Sequence, residues 1–150
     1  MRIQTSLAVA AAALVVFTTP SAAHAAPKPC DLLIPQSASA ILGTPVKPMM
    51  DSGEYCFYQS SSENANVGMS LSSAAGATPA TLNALVSKGD TSEAIAGLGD
   101  QNLLITKGSD TYTLVVIYHG ELVSITAVKR RNPAMKAAMI ATMRQILGKL

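Results

Sequence analysis

The chain is predicted to form an α+β domain: an antiparallel sheet of five or six strands, with a long C-terminal helix and shorter helices packed on it. Three observations carry this expectation. The last third reads as three strands separated by tight turns, with apolar residues recurring at every second position. The chain closes on a stretch with apolar residues at helical spacing, introduced by Asn132-Pro133. Its only two cysteines, Cys30 and Cys56, bracket a looped segment ahead of the sheet.

The first 25 residues read as a secretory leader. Arg2 supplies the positive charge, residues 7–17 are uninterrupted apolar sequence, Pro20 breaks the run, and Ala23-His24-Ala25 offers the small-x-small cleavage pattern. Such a run is too short to span a bilayer, which takes about 20 residues of helix. Residues 26–150 are then expected to form one exported domain, periplasmic or secreted. The whole chain has 11 Lys plus Arg against 9 Asp plus Glu. Losing Arg2 with the leader leaves it nearly neutral, which gives no electrostatic case for nucleic acid. Export and paired cysteines together predict a structural Cys30–Cys56 disulfide. No CxxC spacing or accompanying ligand set suggests redox chemistry or a metal centre.

Within the cysteine loop, Pro35 suits the first position of a short helix, Ala38, Ile41 and Leu42 share one face, and Gly43 suits its C-terminal cap. Ile34 stands where a capping side chain is wanted. Pro45 and Pro48 place any strand over residues 44–50 at a sheet edge. Asp51-Ser52-Gly53 marks a turn, residues 55–60 a strand, and residues 61–66 a second turn. Val67, Met69 and Leu71 alternate with small residues, as in a half-buried strand.

Thr78-Pro79 begins a second helix, with Leu82, Leu85 and Val86 as its stripe and Gly89 as its stop. Residues 90–100 read as an irregular connection. Strands are expected over residues 101–107, 111–118 and 121–128. A two-residue turn at His119-Gly120 sets Val116 opposite Val123, Leu114 opposite Ile125 and Tyr112 opposite Ala127. A two-residue turn at Gly108-Ser109 sets Ile105 opposite Tyr112 and Leu103 opposite Leu114 on the same face. The other face, with Val115, Ile117 and Leu122 among hydroxyl residues, is expected to be half covered or a contact surface. In the final helix Met135, Met139, Thr142, Met143 and Ile146 form the buried stripe, and Gly148 ends it.

Chemistry finds little support. With His24 lost in the leader, His119 is the one imidazole, and the turn accounts for it better than a Ser-His-Asp base does. The carboxylates are scattered among loops, so no glycosidase pair stands out. Met135, Met139 and Met143 could bind Cu(I) as thioethers, but their spacing is that of a core stripe. Gly97-Leu98-Gly99-Asp100 lacks the Lys and the strand-to-helix order of a phosphate loop. Lys129, Arg130 and Arg131 form the one basic cluster and are the candidate partner contact.

The chain resembles a class of small exported bacterial domains of unknown function, many of them actinobacterial lipoproteins. The resemblance rests on Cys30, Leu32 and Leu33; Leu42 and Gly43; Cys56 and Phe57; and residues 97–100, in that order. It implies a twisted antiparallel sheet packed on helices, with no shared catalytic site. The lipobox of that class is replaced by Pro27-Lys28-Pro29. The expected function is therefore a non-enzymatic binding or accessory domain for a protein or small ligand, without cofactor, metal, nucleic acid or stable membrane insertion. The alternative is a secreted inhibitor or immunity-type protein that binds an enzyme through exposed loops such as residues 51–54 or 61–66.

Overall fold

Strand pairing in the sheet follows from the alternation of side chains between its two faces. A computed structural model describes residues 27–130 and 133–150. The leader expected over residues 1–25, and Arg131 and Asn132, lie outside the described residues. Seven strands form one antiparallel sheet: β1 (Val46–Ser52), β2 (Tyr55–Ser60), β3 (Asn66–Ser73), β4 (Thr91–Glu93), β5 (Gln101–Lys107), β6 (Thr111–Tyr118) and β7 (Glu121–Val128). Their spatial order is β1-β2-β3-β7-β6-β5-β4. The helices are α1 (Pro29–Leu32), α2 (Pro35–Leu42), α3 (Pro79–Asn83) and α4 (Pro133–Leu147).

One row of the register crosses five strands: Cys56, Met69, Ile125, Leu114 and Leu104. All five are wholly buried, on the face that receives α1, α2 and α4. Leu32, Leu33, Ala38, Ile41 and Leu42 pack there with Met135, Met139, Met143 and Ile146. The α+β expectation holds, as do the α4 stripe and the α2 boundaries. Gly43 adopts φ +66° at the end of α2 and donates its N–H to Ser39 O. Ile34 makes no side-chain cap, as its type requires.

The strand count needs correction: there are seven strands, not five or six. The added one, β4, lies inside the connection expected to be irregular. Its three residues are all exposed and pair only with Leu104, Ile105 and Thr106 of β5. No apolar alternation marks it, because the edge of β5 imposes the extended conformation. The strand β1 occupies the other edge, as its prolines demand, with a bulge at Met49 between Pro48 and Met50. It runs on through Asp51 and Ser52, so the turn is Gly53-Glu54.

The turn at His119-Gly120 has the expected register, with φ +49° and +84° at its two residues. That pair of positive φ values matches the twist of a tight hairpin. The neighbouring turn does not have the expected length. It spans three residues, 108–110, and pairs Leu104 with Leu114, Ile105 with Thr113 and Thr106 with Tyr112. Leu103, Leu104 and Ile105 are a continuous apolar run, so either register buries a large side chain on the core face. The longer turn lets Lys129 N donate to Asp110 O at 2.8 Å, next to the Thr111–Val128 pair. It sends Leu103 and Ile105 to the opposite face, where Leu82 of α3 covers them with Val115 and Ile117.

The helix α3 is shorter than expected, ending at Asn83 rather than near Gly89. Thr78 caps it through Thr81 in a reciprocal box. Beyond it, Leu85 N and Val86 N bond three residues back, and Asp90 Oδ2 accepts from Ser87 N. This tightening brings Val86 onto the Leu82 cluster and leaves Leu85 44 % exposed.

Candidate functional site

The cysteine pair is bridged: Cys30 and Cys56 are joined at an S–S distance of 2.01 Å, fastening α1 to β2 beneath the core row. Leu32 and Leu33 fill the space beside it. The motif residues singled out at the start of the chain are thus packing residues.

The basic cluster divides. Lys129 Nζ donates to Leu42 O at 2.7 Å, satisfying a carbonyl at the end of α2, and pairs with Glu63 Oε2 at 3.0 Å. Its side chain is committed to joining α2, the 61–66 turn and β7. Arg130 is exposed, and Arg131 lies outside the described residues.

The loop over residues 97–100 is a connector built around one buried leucine. Leu98 enters the core, and Gly97 and Gly99 both have positive φ. A Cβ at Gly99 would strike the Val116 side chain and come within 2.8 Å of Ile117 O. Asn102 holds the loop from within. Its Oδ1 accepts from Ile95 N at 2.6 Å, and its Nδ2 donates to Ile95 O and Leu98 O. Asp100 Oδ2 accepts the backbone N–H of His119 at 3.0 Å, tying the loop to the hairpin turn. The His119 ring lies on Tyr118, with centroids 3.9 Å apart.

Met135, Met139 and Met143 are buried among apolar side chains. Among the described residues, no group of three or more His, Cys, Asp or Glu is placed to hold a metal ion. No helix among them is long and apolar enough to cross a membrane. Tyr58 is buried beside Pro48, and that burial, with a smaller contribution from the Asp51 charge, raises its hydroxyl pKa above the usual 10.0.

The second sheet face is where shape becomes informative. Leu82 and its neighbours cover the β5–β6 end and reach Leu122 at the start of β7. Across β2, β3 and β7 the face carries Tyr55, Phe57, Gly68, Ser70, Ser124 and Thr126, of which only Gly68 is fully buried. The Tyr55 and Phe57 rings stack at 6.2 Å and 18°. Gly68 makes that possible, since a Cβ there would meet the Tyr55 hydroxyl and stand 2.9 Å from Cζ. Thr113 and Thr126 share a hydroxyl hydrogen bond at 3.2 Å beside this shelf. A glycine inside an alternating strand, which the register sets directly opposite Phe57, was the available sequence signal for the shelf.

Clefts indent the surface formed by the described residues. One, of about 390 Å³, lies between α2 and α4 and is walled by Ile34, Ala40, Ala138 and Ala141. Another, of about 360 Å³, lies between α3 and the start of β5. It includes Gln101, whose Oε1 is buried without a hydrogen-bond partner among the described residues. Compared with protein-family models and with curated proteins, the chain matches none.

Proposed function

We propose that the protein is an exported, non-enzymatic binding or accessory domain that engages a protein or small ligand through the uncovered part of its second sheet face. The observation that carries this reading is the Tyr55–Phe57 shelf over Gly68, continued by Ser70, Ser124 and Thr126 on neighbouring strands. A flat surface on a paired sheet loses little conformational entropy on binding, and aromatic rings flanked by hydroxyls supply both apolar area and hydrogen bonds. The disulfide suits an oxidising compartment, and the leader pattern of residues 1–25 supports export. The order of short motifs supports kinship with the lipoprotein-type domains the chain resembles.

A photoreactive side chain at Ser124, compared with one at Arg144 on the helix side, tests the reading in exporting cells. A discrete adduct at Ser124 and none at Arg144 is expected. Equal labelling at both positions, or hydrolytic activity abolished by His119→Ala, would overturn it.

The inhibitor reading has one observation in its favour. Residues 47–55 are all exposed, with Met49 and Met50 each 53 % exposed, on a hairpin anchored beside the disulfide. Such a braced, projecting hairpin suits insertion into an enzyme cleft. Inhibition of a hydrolase that is lost in the Met49→Ala, Met50→Ala double variant would favour it.

A further inference from the structure

We infer that the cleft between α3 and the start of β5 is a second binding site, specific for a small ligand carrying a protonated amine on a short apolar chain. It goes beyond the sheet-face reading, because the cleft lies at the other end of the sheet: Leu103 is separated from Ser124 by Val115 in the register.

Its size, about 360 Å³, falls in the range of small-molecule sites, roughly 300–1,000 Å³. Pro79, Leu82 and Leu103 give it apolar walls, and Asn83, Asp100 and Gln101 give it polar ones. Asp100 offers acceptors only, while the Asn83 and Gln101 amides carry both donors and acceptors. Asp100 is exposed at the mouth of the cleft; one of its oxygens accepts the His119 N–H, and the other has no hydrogen-bond partner among the described residues. Gln101 Oε1 is a buried acceptor with none either. Buried polar atoms in native proteins are almost always paired, so such an atom beside a cleft marks where a donor belongs. The carboxamide of Asn102 is already spent on Ile95 and Leu98 and cannot supply it.

Charge points the same way. Asp100 is the one ionised side chain among the lining residues, and no Lys or Arg accompanies it. An anion is repelled, a neutral donor gains one ordinary hydrogen bond, and an ammonium gains a charge-assisted one. The apolar walls then accommodate the carbon chain that bears it.

The test is an amide-resolved NMR titration with n-butylamine hydrochloride and, in parallel, 1-butanol, at constant ionic strength. Butylammonium is expected to shift the amides of Asn83, Gln101 and Leu103 saturably, with apparent affinity about 10-fold above that of butanol. Asp100→Asn keeps an oxygen for the His119 N–H and removes the charge, so it should abolish that preference. Gln101→Met keeps the length of the side chain and removes the acceptor, and should weaken butylammonium binding even if the Asp100 variant folds poorly. Equal affinity for the two probes, shifts scattered over the surface, or unchanged binding in either folded variant would overturn the proposal. None of these results bears on labelling at Ser124, so the two proposals fail separately.

Discussion

Lys129 Nζ lies 2.7 Å from the carbonyl oxygen of Leu42, a residue 87 positions earlier in the chain. The contact neutralises the negative end of α2 with a cation from the exit of β7, and Glu63 holds the same ammonium from the other side. Lys129→Met retains the aliphatic stem and removes the charge. The ammonium is partly exposed, so the loss is expected to be about 1 kcal/mol, read as a lower urea midpoint with unchanged slope. An unchanged midpoint would return Lys129 to the candidate partner surface.

The Cys30–Cys56 bridge closes a loop with a sequence separation of 26. In the chain-entropy account this disfavours the unfolded state by about 3.5 kcal/mol. The Cys30→Ser, Cys56→Ser double variant should therefore lose stability by about that amount in chemical denaturation. A loss below about 1 kcal/mol would mean that packing of Leu32 and Leu33 alone holds the leading segment.

Gly97 and Gly99 separate two costs. Both have positive φ, but a Cβ at Gly97 meets nothing within 4 Å, whereas at Gly99 it meets Val116 and the Ile117 carbonyl. Gly97→Ala should cost about 1 kcal/mol from backbone strain alone. Gly99→Ala adds a collision with backbone that cannot swing aside, and should cost about 2–4 kcal/mol in total. Equal thermal shifts in the two variants would contradict the packing of this loop against β6.

Tyr58 gives the protein an alkaline limit. Its folded pKa is raised above 10.0 by burial and by Asp51, so the folded state holds the phenolic proton more tightly than the unfolded chain does. The unfolded state therefore loses this proton first as pH rises. Stability is full below pH 10 and declines from there up to the folded pKa. Tyr58→Phe should flatten the decline in denaturation midpoints over that window. A parallel decline in the variant would assign it to other groups.

Much of the architecture was legible because local chemistry and tertiary structure agreed. Proline at the first position of α2 and glycine after its last, the alternation in β3, β6 and β7, and the His119-Gly120 turn each name their conformation from within a few residues. The stripe of α4 was equally legible, since its burial follows from spacing alone. What failed to show were choices made by distant neighbours. The sequence of β4 has no strand character, and its conformation comes from hydrogen bonds offered by β5. The register at residues 108–110 was ambiguous because Leu103, Leu104 and Ile105 satisfy either face, until Leu82 covered one of them.

By itself, then, the order of residues determined α2, α4 and the start of α3, six of the strand positions and the pairing of the cysteines, all of which depend on local dihedral preference, periodicity or parity; α1 and the early end of α3 were not among them. Tertiary structure alone decided which sheet face stays open, what Lys129 binds, and that Gln101 and Asp100 line one cleft with α3. The physical reason is separation along the chain: a contact between residues tens of positions apart leaves no periodic trace in either segment, and exists only once packing has brought them together.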